Sequence, residues 1–440
     1  MKREGYSIRL SASDLMRFMS CAHASFLDLE RLNGRGPEPA EDSADAALLQ
    51  KRGDLHEAAH LDTLRANGDV AEIDKDLPFA YTIRATREAL ASGASVVFQG
   101  ALEGDAGPLS WGGWSDFLER VEVPSALGNF SYQVADTKLK RKPDPKHLLQ
   151  LVLYSDLLAP FQGRMPEHAQ VLLGNGVRAS FRLDEYADYC RGARSRLESF
   201  VAAPWPTHAV PCATCDLCRW RQHCGAAWLA EDSLYQVAGI TRMQVGKLEA
   251  VGVATMSALA NHDGRVPMLA EPTLERLRLQ ARLQTDRAER GPHHVLRPAV
   301  PGKGFDLLWQ PDPGDLFYDI EGDPHYAEAG TEGLEYLHGI WNGETFTALW
   351  AHNHSAEREA LVRLFEIFDA RLSQHPGAHV YHYAAYEITA LRKLCTRHSF
   401  GEAMLDRWLR ERRFCDLFAV VRGGIVASES SYSLKDMEAL

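Results

Sequence analysis

Apolar positions along the chain switch between two periods. Helical spacing marks about 11–31 and 45–67, and a third helix begins near 82. Short alternating or continuous apolar runs at 95–103, 116–123 and 131–138 then predict strands. A helix at 145–158, two strands at 169–174 and 178–183 and a helix at 184–201 complete the pattern, and a Pro- and Cys-rich knot spans 212–224. This alternation predicts a single α/β domain over residues 1–230.

The pattern changes at 232–262, where short helical stretches are split by glycines at Gly239 and Gly252. Such a helix–hairpin–helix arrangement can hold a DNA phosphate on backbone N–H groups, or serve as a plain helical spacer. Residues 263–311 read as an Arg-rich, partly helical linker, so the segment 231–311 is expected to separate two domains. A new strand begins at 315–322, and α/β alternation continues over 312–440.

Composition adds limits. The chain has 440 residues, 45% of them hydrophobic, which suits two or three globular domains. No stretch approaches the roughly 20 continuous apolar residues of a bilayer span, and the charged N-terminus lacks the apolar core of a secretory signal. A cytoplasmic, non-membrane protein is expected, with its eight cysteines reduced and open to metal ligation. The net charge of −12 argues weakly against nucleic acid, because phosphate contacts are local. Lys138, Lys140, Arg141, Lys142 and Lys146 form one basic run, and 276–290 forms another that reads as a solvated face.

The densest chemistry lies around that first run. The turn formers of 124–129 predict a hairpin that sets Asp116 opposite Asp136 or Thr137. Two carboxylates so placed repel unless a cation lies between them, and Mg²⁺ or Mn²⁺ suits such oxygen ligands. Lys138 shares the face of Asp136, where its ammonium can orient water and steady phosphate charge. Gln150 and Tyr154, spaced i,i+4, share a helix face suited to contacts with a nucleic-acid strand. Upstream, His56 is the expected additional metal ligand, with Glu57 as the alternate.

The set His56, Asp116, Asp136-x-Lys138 and Gln150-x3-Tyr154 resembles the PD-(D/E)XK nucleases of the RecB family. The resemblance implies a mixed sheet flanked by helices and metal-dependent hydrolysis of DNA. Asp116, Asp136, the Thr137 carbonyl and His56 would then be ligands, and Lys140 and Arg141 would lie along the DNA. Single-stranded DNA, or DNA with a free end, is the substrate that it suggests. Repair, recombination or defence would be the setting.

Cys215-x2-Cys218-x5-Cys224 supplies three thiolates and Cys21 the natural fourth, a set that four-coordinate zinc could also use. The split spacing resembles the iron–sulfur clamp of AddB-type nucleases, which implies a [4Fe–4S] cluster with a structural role. Cys212 is a spare thiol beside the triplet, and Cys190, Cys395 and Cys415 read as small buried hydrophobes.

Near the C-terminus, Asp319-x-Glu321 at a strand end resembles the first motif of DnaQ-like, RNase H-fold exonucleases. Glu387 and Asp416 resemble later acids of that group, with Tyr383 replacing an expected asparagine. The last acid would fall beyond residue 440, so this domain is expected to be incomplete, or the chain a piece of a longer one. Relatives suggested by the whole ordering can continue into a helicase, yet no phosphate-binding G-x4-G-K-[ST] occurs here. A helicase partner or C-terminal extension is the remaining possibility. The competing functional class is a DNA-binding scaffold without catalysis.

Overall fold

The computed structural model describes residues 1–104, 107–328 and 330–440. They divide into two compact units, Met1–Ala227 and Trp228–Leu440.

In the first unit the strand Leu109–Val121 is the spine of a mixed sheet. Val96–Gly104 runs antiparallel along one edge of it. On the other edge, Ser7–Leu10 pairs in parallel with its start and Ser131–Lys138 antiparallel with its end. His168–Leu173 adds in parallel to Ser131–Lys138, and Arg178–Arg182 closes that side. The helix Pro145–Gln162 starts at a capping box of Asp144 with His147 and is buried almost all round, as a helix apolar on every face must be. Leu149, Leu151, Val152, Leu153 and Leu157 join Leu10, Leu102, Leu118 and Tyr132 in the main core.

Two differences from the expected elements have local causes. The helical stretch predicted over 11–31 is two helices, Ala12–Ser20 and Ala22–Leu32, because Cys21 is extended (φ −158°, ψ 102°) and its thiol caps the second. The strand expected at 116–123 begins at Leu109, since the weak strand formers Gly112 and Gly113 are tolerated where side chains crowd the backbone. A Cβ on Gly113 would stand 2.8 Å from the Tyr154 hydroxyl.

In the second unit the expected linker is packed structure. Glu271–Arg290 is a helix whose Leu274, Leu277 and Ala281 share a core with Leu234, Val245, Leu248 and Leu259 of the short helical segments before it. Those segments are the 3-10 turn Leu234–Gln236 and the helices Arg242–Glu249 and Met256–Ala260, with Gly239 and Gly252 at φ +73° and +82° in the turns. The expected solvated face at 276–290 also needs correcting, since Arg278 is buried. His294–Leu296 pairs with Ile425–Ala427 in a small ribbon.

The remaining sheet runs Phe346–Trp350, Thr331–Trp341, Leu316–Glu328, Val380–His382, Phe414–Asp416. Its first three strands are antiparallel and its last two parallel to Leu316–Glu328. Tyr318 and Ile320 face a core with Leu361, Leu364, Phe365 and Phe368 of the helix His354–Gln374 and Leu391 and Leu394 of Tyr386–His398. Among the described residues no helix is long and apolar enough to cross a membrane.

Candidate active site

Pairing of Phe117 with Ala135 puts Asp116 directly opposite Asp136, one step further along the hairpin. The two carboxyls come within hydrogen-bonding reach of one another, and Asp116 Oδ2 lies 3.5 Å from the Thr137 N–H. Asp136 is 2% exposed. Burial first, and then the Asp116 charge, push its carboxyl well above the usual carboxylate range against the pull of Lys138. Lys138 Nζ lies 2.8 Å from Asp136 Oδ1 and 2.7 Å from Oδ2, and only the Oδ1 contact has hydrogen-bond geometry. Burial would lower the Lys138 ammonium, but the Asp136 and Asp116 charges outweigh it and raise its proton affinity.

The third acid here is Glu57, on the helix Ala44–Asn67. Burial and then the Asp116 carboxylate raise its carboxyl above the ordinary glutamate range. His56, the expected ligand, has a buried Nε2 without a hydrogen-bond partner among the described residues. Successive residues on a helix point about 100° apart, so the neighbouring position faces the acids. Thr137 meets Asp116 through its N–H, where its carbonyl was expected to act.

Two nearby residues escaped the sequence reading. Gln99 sits inside the strand Val96–Gly104, in the row opposite Asp116, with φ +55°. A left-handed non-glycine in a strand is strained, and its side-chain NH₂ donates to the Glu57 carboxylate. His147 is buried on the helix that follows Lys138; burial first, and then the Lys138 charge, lower it to about 4. Alternation and helix period mark neither, because both depend on tertiary placement.

Asp116, Tyr154, Gln99, Lys75, Ser11 and Trp114 line a cleft of about 360 Å³. Tyr154 and Gln150, expected to guide a strand, are 6% and 8% exposed. Tyr154 is instead a wall of the cleft, and burial, followed by the fields of Asp116 and Asp136, holds its hydroxyl proton more tightly. Lys140 is exposed and ion-paired with Asp144. Arg141 is exposed on the turn before the helix.

Cys21, Cys218 and Cys224 pack against Ala24, Leu27 and Trp220. Cys212 Sγ stands 3.7 Å from Cys215 Sγ, and Cys212 also reaches Cys21. Burial and then Cys218, Cys21, Cys215 and Cys212 raise the Cys224 thiol to about 11, so five thiols share one neighbourhood. Cys190, Cys395 and Cys415 are buried elsewhere. Among the described residues, no three or more His, Cys, Asp or Glu side chains form a ready-made metal cage. The expected closed ligand sets are therefore not preformed. Lys138 sits against Asp136, the Cys21 thiol caps a helix, and Cys212 and Cys215 face each other.

In the second unit Asp319 and Glu321 project together on the exposed face of Leu316–Glu328, as the strand period requires. Glu387 is buried, its Oε2 3.4 Å from His382 Nδ1, and neither atom has a hydrogen bond. Asp416, expected as a later acid of this site, has its Oδ1 accepting from the N–H groups of Ala384, Phe418 and Ala419, capping the helix Leu417–Gly424. Glu335 was not foreseen. A bulge between the pairs Glu321–Leu337 and Gly322–Glu335 brings it beside the acids, where Tyr386 donates to its Oε2 at 3.0 Å.

Residues 316–440 match the RNase H superfamily. The C-terminal part of the chain is thus an RNase H-like domain, a nuclease-type fold, within a mixed α/β multidomain protein. No curated protein matches the chain.

Proposed function

We propose that the chain is a metal-dependent nuclease that hydrolyses phosphodiester bonds in DNA, single strands preferred, at the acids of its first unit. One observation carries this reading: a buried carboxyl, Asp136, faces a second across a strand pair and has a lysine beside it at the end of an open cleft. Three acids against one ammonium leave an excess of negative charge that a divalent cation relieves. Bound there, Mg²⁺ or Mn²⁺ supplies the charge that activates water and offsets phosphate. Asp116, Asp136 and Glu57 are its holders, with His56 Nε2, which has no hydrogen-bond partner, as a further donor that fits it. Lys138 sets a positive charge where phosphoryl oxygens gather charge, and Gln99 positions Glu57.

The same proposal includes a [4Fe–4S] cluster on Cys21, Cys215, Cys218 and Cys224, with Cys212 as a fifth thiol in reach. Soft thiolates held together against their mutual repulsion fit it, and the cluster would cross-link the two ends of the unit. A cytoplasmic role in DNA repair, recombination or defence agrees with this chemistry.

A second reading has its own support. The RNase H-like domain gathers Asp319, Glu321, Glu335 and Glu387 near Tyr318 and Tyr386, and could hold the reacting site instead.

Labelled single- and double-stranded DNA incubated with Mg²⁺ or Mn²⁺ decides between them. Asp136→Asn is expected to lower cleavage on the order of 10²–10³-fold while Asp319→Asn leaves it intact. Loss with Asp319→Asn alone would move the site to the second unit. Salt-sensitive binding without any cleavage would make the protein a scaffold.

A further inference from the structure

One cavity of the second unit, about 790 Å³, is lined by none of Asp319, Glu321, Glu335 and Glu387. Its walls carry Arg276, Arg297 and Arg422, with Tyr383, Phe418 and Tyr432 between them, and no carboxylate residue. The acids nearby are engaged elsewhere. Asp436 accepts from Ser431 and Ser433, Glu429 pairs with Arg287, and Asp416 caps its helix. None of the three arginines forms a salt bridge among the described residues. Arg297 Nη1 donates to the Arg422 carbonyl at 3.0 Å, and Arg422 lies 5.7 Å from the Phe418 ring centroid. All three act on the Tyr432 hydroxyl, so their charges converge on one spot. Burial, and then Arg297 and Arg422 against the pull of Tyr432, lower the proton affinity of Arg276.

The backbone is also unusual here. Gly239 lies on the cavity wall at φ +73°, a left-handed conformation that glycine adopts freely. Ala384 takes φ +74°, a left-handed conformation unfavourable for a non-glycine residue, and its N–H is tied to Asp416 at 2.9 Å. Strain and uncompensated like charge are both held in place at one cavity wall.

We propose that this cavity binds the phosphate of a nucleotide, with Arg276, Arg297 and Arg422 as the anion clamp and the aromatic wall of Tyr383 and Phe418 beside the base. Planar guanidinium forks match phosphate oxygens two at a time. The volume is far more than a bare phosphate fills and falls in the roughly 300–1,000 Å³ range of small-molecule sites. The Tyr383 and Phe418 rings pack edge to face, 5.7 Å apart and inclined at 73°, and form an aromatic stretch of the cavity wall against which one face of a base can lie. The phosphate can belong to a free nucleotide or to the end of a strand.

Calorimetric titration of the full chain in EDTA separates these sources without cleavage. The probes are inorganic phosphate, thymidine monophosphate, and a thymidine decamer with and without a 5′-phosphate. Phosphorylated probes are expected to bind, and Arg276→Gln and Arg422→Gln each to weaken them about tenfold. Each substitution should also lower the salt slope by roughly one. Equal affinity for the monophosphate and the phosphorylated decamer identifies a free nucleotide; tighter decamer binding identifies a strand end. Arg358→Gln, the same charge change on an exposed helix position, should leave binding unchanged. The proposal is overturned if Arg422→Gln, folded by circular dichroism, binds like the parent, if Arg358→Gln weakens binding equally, or if the 5′-phosphate adds nothing. EDTA and the use of binding as readout keep this result independent of whether Asp136 supports hydrolysis.

Discussion

Asp136 and His338 show how burial turns a side chain into a probe of the fold. With Asp136 buried against Asp116, the metal-free site carries a repulsion that Lys138 only partly offsets. Thermal unfolding should therefore rise with Mg²⁺ or Mn²⁺ in the parent protein and stay flat in Asp136→Asn; equal shifts in both would remove these acids as the ion's holders. His338 is fully buried beside the Tyr318 hydroxyl, 2.9 Å from Nδ1, and burial lowers it to about 4. Its folded-state value lies below the unfolded one near 6.5, so its contribution is full above about pH 6.5 and is lost as pH falls toward 4. Denaturant unfolding at pH 7 and pH 5 should differ by about 2 kcal/mol from this residue alone, and His338→Gln should shrink the difference by that amount. A buried imidazole such as His338 was illegible in the sequence. Asp116, Asp136 and Lys138 could be named because a hairpin register follows from local turn chemistry. Gln99, Glu335 and His147 could not, because a strained φ, a bulge and a buried imidazole arise only when distant segments meet.

At the scale of elements, regular periods were legible and irregular ones were not. The strand Ser131–Lys138 and the start of Pro145–Gln162 fall where the pattern put them, since alternation and an Asp–Pro helix start are local. The early start of Leu109–Val121 and the packed helix Glu271–Arg290 were missed, because glycines and arginines masked positions that tertiary contacts bury. One carboxylate ties several elements of the second unit together. Glu357, on His354–Gln374 and with no exposed surface, accepts from Arg397 at 2.8 and 2.9 Å and from the Glu335 N–H, and meets His398 Nε2 at 2.6 Å. Glu357→Ala leaves those groups uncompensated inside the fold and should cost about 3–5 kcal/mol in denaturant unfolding. A loss below about 1 kcal/mol would mean that the cluster is relaxed by water.

Across the whole chain, two compact units carry different kinds of acid cluster, and residues 316–440 of the second match the RNase H superfamily. The five-thiol neighbourhood belongs to the first unit. Protein purified without air should be brown and contain iron and sulfide in stoichiometric amounts, and Cys224→Ser should lose both. A colourless parent that contains zinc would replace the cluster with a tetrahedral ion. The pinning of the unit's ends does not depend on that outcome, because Asp28 on Ala22–Leu32 accepts from Arg17, Arg219 and the Trp220 indole.

That three-way contact also bears on how the protein is made. Arg219 and Trp220 follow Asp28 by 191 and 192 residues, so the first helices leave the ribosome long before their partners exist. At about 5–20 residues per second, Asp28 waits roughly 10–40 s with only Arg17 to answer its charge. During synthesis the core partners of the N-terminal helices on Pro145–Gln162 arrive first, and the charge of Asp28 is fully answered only when Arg219 and Trp220 follow.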